Sequence, residues 1–478
     1  MNYFRIFFIF FAIFECSNFL FSQKNLNTYL KRWLTDPIFN GASISIYIKD
    51  LKNKKDLIRY NDNLYLIPAS LVKLFTTACA LNLLGENYKF KTEIGYTGQI
   101  LDSILKGDII VKGFGDPTLY SSYFEDFNKI NKPFDSVAIK LKNLNVNKID
   151  GKIIIDATFF DFNLHNPNWL LYDLGNYYAP PISSIIVFDN EYKLVFGSKE
   201  SKIKLIKVFP EIFEPQLINE LQCKENILDE SFILSNIFDS KQLITGFIPC
   251  NKDTFVVKGS IVNPFNVVAE LLKKILNDYN ITLTKDTVKI FTNLTIDKKY
   301  NIPNYNIIHI IYSPPLFEII KKINKQSVNV YAEALCYVMS KTVYGKADYD
   351  IAPETVMNFF EKENIKLCDC SGLAKCNLLT AKQLLDLLEH MYNSKFSQLF
   401  INSLAIGGID GTLKYMFKNP KFKGKIYAKT GTLKYIRNIA GYYFTDTNIY
   451  IFVIMINNCF APISKINNKI EELLLNLF

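Results

Sequence analysis

Residues 68–85 read PASLVKLFTTACALNLLG, so a serine and a lysine stand at the head of a long apolar run. Pro68 near the start and Gly85 after the end predict a helix over 71–84. Ser70 and Lys73 are three positions apart, so they share one face of this helix and can touch. The stretch therefore predicts a hydroxyl group and an amine held together at a helix N-terminus.

The same serine-lysine spacing occurs twice more, so the tetrad alone carries little weight. Ser103 to Lys106 lies in a polar turn, and Ser201 to Lys204 lies in a charged stretch. Neither pair follows a proline or opens an apolar helix. Context therefore singles out Ser70 as the serine placed for chemistry.

A serine nucleophile needs a base, and the three histidines of the chain are poor candidates. His309 lies inside an apolar run, which predicts a core position in a strand. His390 ends a helix, and His165 lies in a loop. No Gly-x-Ser-x-Gly elbow or HExxH pair is present either. A lysine remains, provided that burial and a neighbouring cation lower its pKa. Lys73 and Lys429 are the two candidates.

Two further short motifs follow the tetrad in chain order. These are Ser327-Val328-Asn329 and Lys429-Thr430-Gly431-Thr432. With the tetrad, they resemble the three motifs of penicillin-binding proteins and serine β-lactamases. Residues 115–119, 168–181, 369–373 and 410–414 are similar to those of the class C low-molecular-weight penicillin-binding proteins, the D-alanyl-D-alanine carboxypeptidase/endopeptidase family (peptidase family S13). The long gap between Ser70 and Ser327 also agrees with the inserted domains of that family.

The resemblance implies an α/β fold built on a penicillin-recognising serine transferase (β-lactamase-like) domain. Such a domain has an antiparallel sheet flanked by helices, here with one or two strand-rich inserted domains. Hairpins over 42–60 and 439–456, with a helix over 463–478, would supply this sheet. We expect a signal peptide over 1–22, a catalytic domain over 23–87 plus 311–478, an inserted domain over 88–190 plus 250–310, and a second small inserted domain over 191–249.

The resemblance also implies a role for each motif residue. Ser70 attacks the substrate carbonyl with Lys73 as base, and Ser327 passes a proton to the leaving group with Lys429 holding the relay. Asn329 completes the catalytic set. The substrate-binding residues implied are Thr430, Gly431 and Thr432, with Asp173 meeting the free amine of the stem-peptide side chain.

The implied substrates are peptidoglycan stem peptides that end in D-Ala-D-Ala, and β-lactam antibiotics are implied as covalent inhibitors. No cofactor or metal is needed. Three alternatives stay open on the residues alone. They are a non-catalytic peptidoglycan-binding envelope scaffold, a β-lactamase and an esterase, since the serine-lysine pair also serves ester chemistry.

The first twenty-odd residues predict export. Arg5 precedes a nine-residue apolar run over 6–14, which is too short to span a bilayer but is typical of a secretory signal. We therefore expect an exported, periplasmic protein. The net charge of +9 over 478 residues is mild, and the lysines form no long run, so nucleic acid is not an expected partner. A peripheral membrane association and a homodimer stay open.

Seven of the eight cysteines after the signal fall into three groups, and Cys459 stands apart. Cys223 and Cys250 flank one segment of the middle region and could form a disulfide. Cys79 and Cys336 lie in apolar helical runs, so we expect both to be buried thiols. The cysteines of 368–376 lack a fourth ligand and a nearby histidine, so packing or a local disulfide is expected there rather than zinc.

Overall fold

The computed structural model describes residues 28–161, 165–199, 202–236, 240–293, 302–361 and 364–478. The predicted signal peptide over 1–22 lies outside the described residues. Among the helices of the described ranges, none has the length and apolar character that a bilayer-spanning segment needs.

A six-stranded antiparallel sheet is built from the two ends of the chain. Both predicted hairpins lie in this sheet, which confirms them. The strands, in spatial order, are Lys55–Tyr60, Ser43–Asp50, Ile449–Asn457, Ile436–Phe444, Ile426–Leu433 and Ala405–Ile406.

Both faces of this sheet are covered, so its central strands are apolar on both sides. On one face Ile46 and Ile454 pack with Ile466 and Ile470 of the C-terminal helix Ile463–Leu477. The two helix residues are four positions apart and therefore share one side of that helix. The sequence-predicted tail helix is confirmed.

The opposite face carries a helical layer around one core. The helix Val72–Leu83 is buried nearly all round because it lies in the middle of this layer, which explains its continuous apolar sequence. The helices that share this core are Val72–Leu83, Leu316–Gln326, Asn329–Tyr344, Ile351–Phe359, Ala381–Tyr392 and Ser397–Ser403.

The long middle region carries a five-stranded mixed sheet and a four-stranded sheet. The five strands, in spatial order, are Val288–Phe291, Ile153–Asp156, Ile109–Gly113, Lys91–Tyr96 and Asn306–Tyr312. The four strands are Thr282–Leu283, Lys148–Ile149, Ile104–Lys106 and Gln99–Leu101. Short parallel strands Ile185–Val187 and Asp116–Leu119 pair beside them, and the helices are Glu125–Asn131, Pro133–Asn143 and Pro264–Asp278.

Two three-stranded sheets complete the middle region. One has the order Lys204–Phe209, Glu191–Gly197, Phe255–Ser260, and the other has the order Gln216–Lys224, Lys241–Pro249, Glu230–Leu234. Ile233, Ile244 and Val257 share one core with Ile109 of the larger insertion. We keep the division into a catalytic unit and inserted units as a proposal, with the smaller unit extended to include the strand Phe255–Ser260.

Three disulfides lie within the described ranges: Cys223–Cys250, Cys336–Cys370 and Cys368–Cys376. The first is the pairing that the sequence allowed, the third is one of the two outcomes left open for the cysteines of 368–376, and Cys79 is a buried free thiol as predicted. The prediction of a free thiol at Cys336 is wrong. Its helix faces the loop over 368–376, a contact between distant segments that apolar periodicity does not reveal.

Candidate active site

Ser70 lies in a single turn of 3-10 helix, Ala69–Leu71, that leads directly into the helix Val72–Leu83. Ala69 has a left-handed backbone conformation with φ of 49°. A residue with a Cβ adopts this conformation at a cost, and such strain is often found at functional sites. The turn presents Ser70, half-buried, one helical turn before Lys73.

Lys73 makes three polar contacts inside the protein. Its Nζ lies 3.0 Å from Ser70 Oγ, 2.6 Å from Asn329 Oδ1 and 2.5 Å from the Ser371 carbonyl oxygen. The amide of Asn329 is oriented by its own Nδ2, which donates to the Tyr178 carbonyl at 2.7 Å. Asn329 Oδ1 and the Ser371 carbonyl are therefore both pure acceptors.

This arrangement determines where the lone pair of a neutral Lys73 lies. A neutral amine has two N–H donors and one lone pair. If the two N–H groups serve Asn329 and the Ser371 carbonyl, the lone pair is left facing Ser70 Oγ. In this geometry the Ser70 hydroxyl donates to the amine, which is the orientation needed for removal of its proton.

Burial favours that neutral form. The Lys73 side chain is fully buried, and this desolvation lowers its pKa to about 7, while the carboxylates of Asp369 and Glu333 act in the opposite direction. Burial likewise raises the pKa of Glu333 to about 8, with Asp369 adding to the rise. Near neutral pH a large share of Lys73 therefore carries its lone pair.

The second serine and the second lysine also meet. Ser327 lies at the C-terminal end of the helix Leu316–Gln326 in a left-handed conformation, φ 62°, and its Oγ lies 2.8 Å from Lys429 Nζ. Lys429 is fully buried. Burial first, then the charges of Lys73 and Arg437, hold its pKa well below the ordinary value. The sequence predicts a neighbouring cation that lowers the pKa of Lys73. In the structure the pKa of Lys73 is lowered by burial, and the charge effect runs the other way, from Lys73 to Lys429.

Gly431 lets the strand Ile426–Leu433 approach the turn that carries Ser70. A Cβ at this position would lie 2.5 Å from the Pro68 carbonyl oxygen and 3.3 Å from the Ser70 backbone nitrogen. No side chain fits into that space. The strand backbone therefore lies directly against the turn that carries Ser70.

The loop after residue 368 is organised around the buried carboxylate of Asp369. This carboxylate accepts hydrogen bonds from the backbone N–H groups of Gly372 (2.7 Å), Leu373 (2.9 Å) and Ala374 (2.7 Å), and from the Trp169 indole at 2.9 Å. Several N–H donors satisfy the buried charge. The loop is thereby held in the conformation that presents the Ser371 carbonyl to Lys73.

Ser70 opens into a cavity of about 680 Å³. Ser327, Asn329 and Thr432 line the same cavity, and so does Asp173. Burial raises the pKa of Asp173, whereas the Tyr178 hydroxyl, which donates to it at 3.3 Å, and the charge of Lys375 lower it. The structure therefore brings Asp173 to the same cavity as Ser70.

Two of the predicted substrate-binding residues differ in their surroundings. Thr432 is exposed in the cavity, and its Oγ1 accepts a hydrogen bond from Arg437 Nη1 at 2.6 Å. Thr430 is buried, and its hydroxyl lies 2.9 Å from that of Thr412. The side chain of Thr430 is thus already engaged away from the cavity.

The three histidines, all within the described ranges, lie away from the cavity lining. His165 is buried and His390 is exposed in the last turn of its helix. The prediction of a core residue at His309 is wrong. It is half-buried in its strand, with Nδ1 3.0 Å from Lys140 Nζ, because this strand is the outermost of its sheet.

Several groups of the site were not found from the sequence. Glu333 interrupts an apolar run four positions after Asn329, and that helical spacing from a motif residue was the available signal. Arg437 is a cation within an apolar strand, which is a similar signal. The carbonyls of Tyr178 and Ser371 leave no mark on the sequence, since any residue supplies one.

The family and its curated members match this chain over most of its length. The D-Ala-D-Ala carboxypeptidase 3 (S13) family matches residues 26–476. D-alanyl-D-alanine carboxypeptidase DacB from Haemophilus influenzae is 22% identical over 420 residues, covering 86% of this chain and 84% of that protein. D-alanyl-D-alanine carboxypeptidase from Actinomadura sp. (strain R39) is 24% identical over 439 residues, covering 86% of this chain and 76% of that protein.

Solved structures show the same fold. Penicillin binding protein 4 (dacB) from Haemophilus influenzae matches with a TM-score of 0.74 at 22% identity, covering 88% of this chain and 92% of that one. The same protein complexed with a novel beta-lactam (CMV) matches with a TM-score of 0.73 at 21% identity, covering 92% of this chain and 96% of that one. With the family matched from residue 26 to residue 476, this chain belongs to the D-Ala-D-Ala carboxypeptidase 3 (S13) family of serine peptidases.

Proposed function

We propose that this peptidase cuts the bond between the two terminal D-alanines of peptidoglycan stem peptides, through an acyl-enzyme on Ser70. The observation that carries the proposal is the environment of Lys73. Two pure acceptors hold its N–H groups, burial lowers its pKa to about 7, and Ser70 Oγ lies 3.0 Å away. This is the geometry of an activated hydroxyl nucleophile.

In the first half of the reaction, Ser70 Oγ attacks the carbonyl carbon of the penultimate D-alanine. The hydroxyl proton passes to the lone pair of Lys73, and the carbonyl oxygen becomes an oxyanion. The backbone N–H groups of Ser70 and Thr432 would bind that oxyanion. The support is the close approach at Gly431, which places the strand against the Ser70 backbone nitrogen.

The leaving D-alanine must gain a proton as the C–N bond breaks. Ser327 Oγ, hydrogen-bonded to Lys429, is the group placed to deliver it. Water then attacks the acyl-enzyme, and the proton path runs in reverse to restore Ser70 and release the shortened peptide. The low pKa of Lys429 suits a group that exchanges protons rather than one that only holds a charge.

The substrate backbone would lie along the outer edge of the strand Ile426–Leu433. The neighbouring strand Ala405–Ile406 pairs with it only at Tyr427 and Ala428, so the edge beyond these residues is available to an added strand. Asn329 would contact a substrate amide. For the terminal carboxylate we favour Thr432 over Thr430, because the Thr430 hydroxyl is engaged by Thr412.

Asp173 would bind the free amine at the end of the stem-peptide side chain. It lines the cavity that holds Ser70, and its partner Tyr178 also supplies the carbonyl that orients Asn329. A substrate amine at Asp173 would therefore contact a segment that is coupled to the catalytic residues.

The complexed beta-lactam of the Haemophilus protein supports β-lactams as covalent inhibitors of this chain too. A β-lactam carbonyl would acylate Ser70 as the peptide does. The same machinery serves carboxypeptidase and endopeptidase action, since both cut a bond that follows a D-alanine.

Peripheral membrane association and a homodimer stay predictions. Vesicle flotation would test the first, and light scattering would test the second.

We propose that the enzyme works outside the cytoplasm, in the periplasm. Its peptidoglycan substrate lies there, and three disulfides within the described ranges fit an oxidising compartment. The apolar run over 6–14 would direct export.

The test of the proposal is release of D-alanine from a pentapeptide that ends in D-Ala-D-Ala. The wild-type enzyme should release it, and the Ser70→Ala variant should release none above background. Release by both proteins would assign the activity to another group. Absence of release by both, with crosslinked muropeptides also uncut, would favour the scaffold alternative.

A further inference from the structure

The helix Asn329–Tyr344 presents one side chain to Lys73 and two to the loop whose Ser371 carbonyl contacts Lys73. Asn329, Glu333 and Cys336 follow one another at spacings of four and three, so they share one face of the helix. Asn329 Oδ1 accepts from Lys73, and Glu333 Oε1 accepts from the backbone N–H of Cys370 at 3.1 Å. Cys336 is joined to Cys370 by a disulfide.

This disulfide is adjacent to the carbonyl that contacts the base. Ser371 follows Cys370 directly, and its carbonyl oxygen lies 2.5 Å from Lys73 Nζ. Because the acceptor is a backbone group, its position depends on the path of the loop rather than on a side-chain rotamer. The bond from Cys370 to the helix restrains the path of the loop at this point, together with the hydrogen bonds that the Asp369 carboxylate accepts and the one that the Cys370 N–H donates to Glu333.

The second disulfide of this loop has a different effect. Cys368–Cys376 joins two positions only eight residues apart and closes the loop on itself. It places no restraint between the loop and the helix. Cys336–Cys370 joins positions 34 residues apart, and both sulfur-bearing residues are fully buried next to the site.

We propose that the Cys336–Cys370 disulfide is a positioning element for the base. It holds the Ser371 carbonyl at hydrogen-bond distance from Lys73, and thereby keeps the lysine lone pair facing Ser70. The proposal rests on the role of Lys73 given under Proposed function.

The effect of losing the bond follows from the three contacts of Lys73. If the Ser371 carbonyl moves away, one N–H of the amine loses its acceptor, and the amine can rotate its lone pair away from Ser70. Ser371 is not among the residues that line the cavity, so initial binding of an inhibitor there should not depend on this carbonyl. The loss should therefore appear in the acylation step, where a displacement of about 1 Å costs about 100-fold, and not in initial binding.

The experiment measures the acylation rate constant and the initial binding constant separately, by stopped-flow with a chromogenic β-lactam. The variant is Cys336→Ala with Cys370→Ala, and a second variant, Cys336→Val with Cys370→Ala, fills more of the space left by the sulfurs. The control is Cys223→Ala with Cys250→Ala. The control disulfide joins residues 27 positions apart, and the site disulfide joins residues 34 positions apart. Removing either one therefore releases a comparable restraint on the unfolded chain.

We expect both site variants to keep the binding constant and to lose about 10- to 100-fold in the acylation rate constant. The control should keep both constants. Unchanged acylation in a folded site variant would overturn the proposal. So would failure of both site variants to fold while the control folds, because the bond would then be a structural staple. If the wild type itself is not acylated, the proposed function fails, and that outcome is distinct from the other two.

Discussion

At the scale of single residues, the proposed role of Lys73 as base makes the acylation step depend on pH. Only neutral Lys73 can take the proton of Ser70, and its pKa of about 7 means that the neutral fraction grows as the pH rises through neutrality. We predict an acylation rate constant that rises about tenfold per pH unit below that pKa and levels off above it. Stopped-flow acylation between about pH 5 and pH 9 measures this profile.

The matched variant for this prediction is Lys73→Arg. Arginine keeps the positive charge but does not lose a proton at these pH values, so it cannot serve as base. Acylation should fall by about 10²- to 10⁴-fold, the usual range for loss of a general base. A rate close to that of the wild type, or a profile that falls as the pH rises through 7, would contradict the assignment of Lys73.

Asp173 gives a prediction about substrate choice. In Asp173→Asn the side chain keeps its shape and loses its charge, so a peptide with a free side-chain amine should lose about 1 to 3 kcal/mol of transition-state binding. A peptide with the same amine acetylated should be cut equally by both enzymes. The measurement is kcat/KM for the two peptides, and an equal loss on both would show that Asp173 only supports the loop.

At the scale of elements, the contact of the strand Ile426–Leu433 with the Ser70 turn gives the next prediction. In Gly431→Ala the added Cβ meets the Pro68 carbonyl at 2.5 Å, so the strand or the turn must move. We expect about 1 to 3 kcal/mol of destabilisation and a large loss of acylation. Urea unfolding and β-lactam acylation measure the two effects.

The control for this variant is Gly197→Ala. Gly197 is also in a strand, but the nearest atom to an added Cβ belongs to a flexible side chain, Ile206 Cδ1 at 3.2 Å. This variant should acylate like the wild type. Normal acylation by Gly431→Ala would mean that the strand does not lie against the Ser70 turn as described.

The elements also show what the sequence could and could not predict. The helix after Ser70 and the two hairpins were predictable because their apolar periodicity and their Pro and Gly boundaries are local features. The motif residues were found because their chemistry is unusual in combination. The joining of Cys336 to Cys370 was not predictable, since it depends on how a helix and a loop pack. The pairing of the strand Phe255–Ser260 with Glu191–Gly197 was not predictable for the same reason, because strand pairing is non-local.

At the scale of the whole molecule, the inserted region supports the active site through Asn176. Its Nδ2 donates to the Ile233 carbonyl at 3.2 Å, and its Oδ1 accepts from the Ile233 backbone N–H at 3.1 Å. Ile233 belongs to the small sheet of the insertion, and Asn176 lies between Asp173 and Tyr178. The small sheet thereby holds the segment of the larger insertion that orients Asn329.

Asn176→Ala should therefore affect the catalytic centre from a distance. The buried backbone of Ile233 loses its partners, which should cost about 1 to 3 kcal/mol of stability. We also expect a lower kcat/KM on the peptide with a free amine, because Asp173 is less firmly placed. Thermal unfolding and peptide kinetics measure both effects, and a stability loss with unchanged kinetics would separate the insertion from the site.

The most direct test of the central claim is to find the residue that carries the acyl group. The enzyme is treated with a β-lactam, digested, and the peptides are analysed by mass spectrometry. We predict a single adduct, on the digestion product that contains Ser70 and attached to the Ser70 side chain. The Ser70→Ala variant should carry no adduct. An adduct at another residue, or an equal adduct on the variant, would contradict the account of Ser70 as the nucleophile.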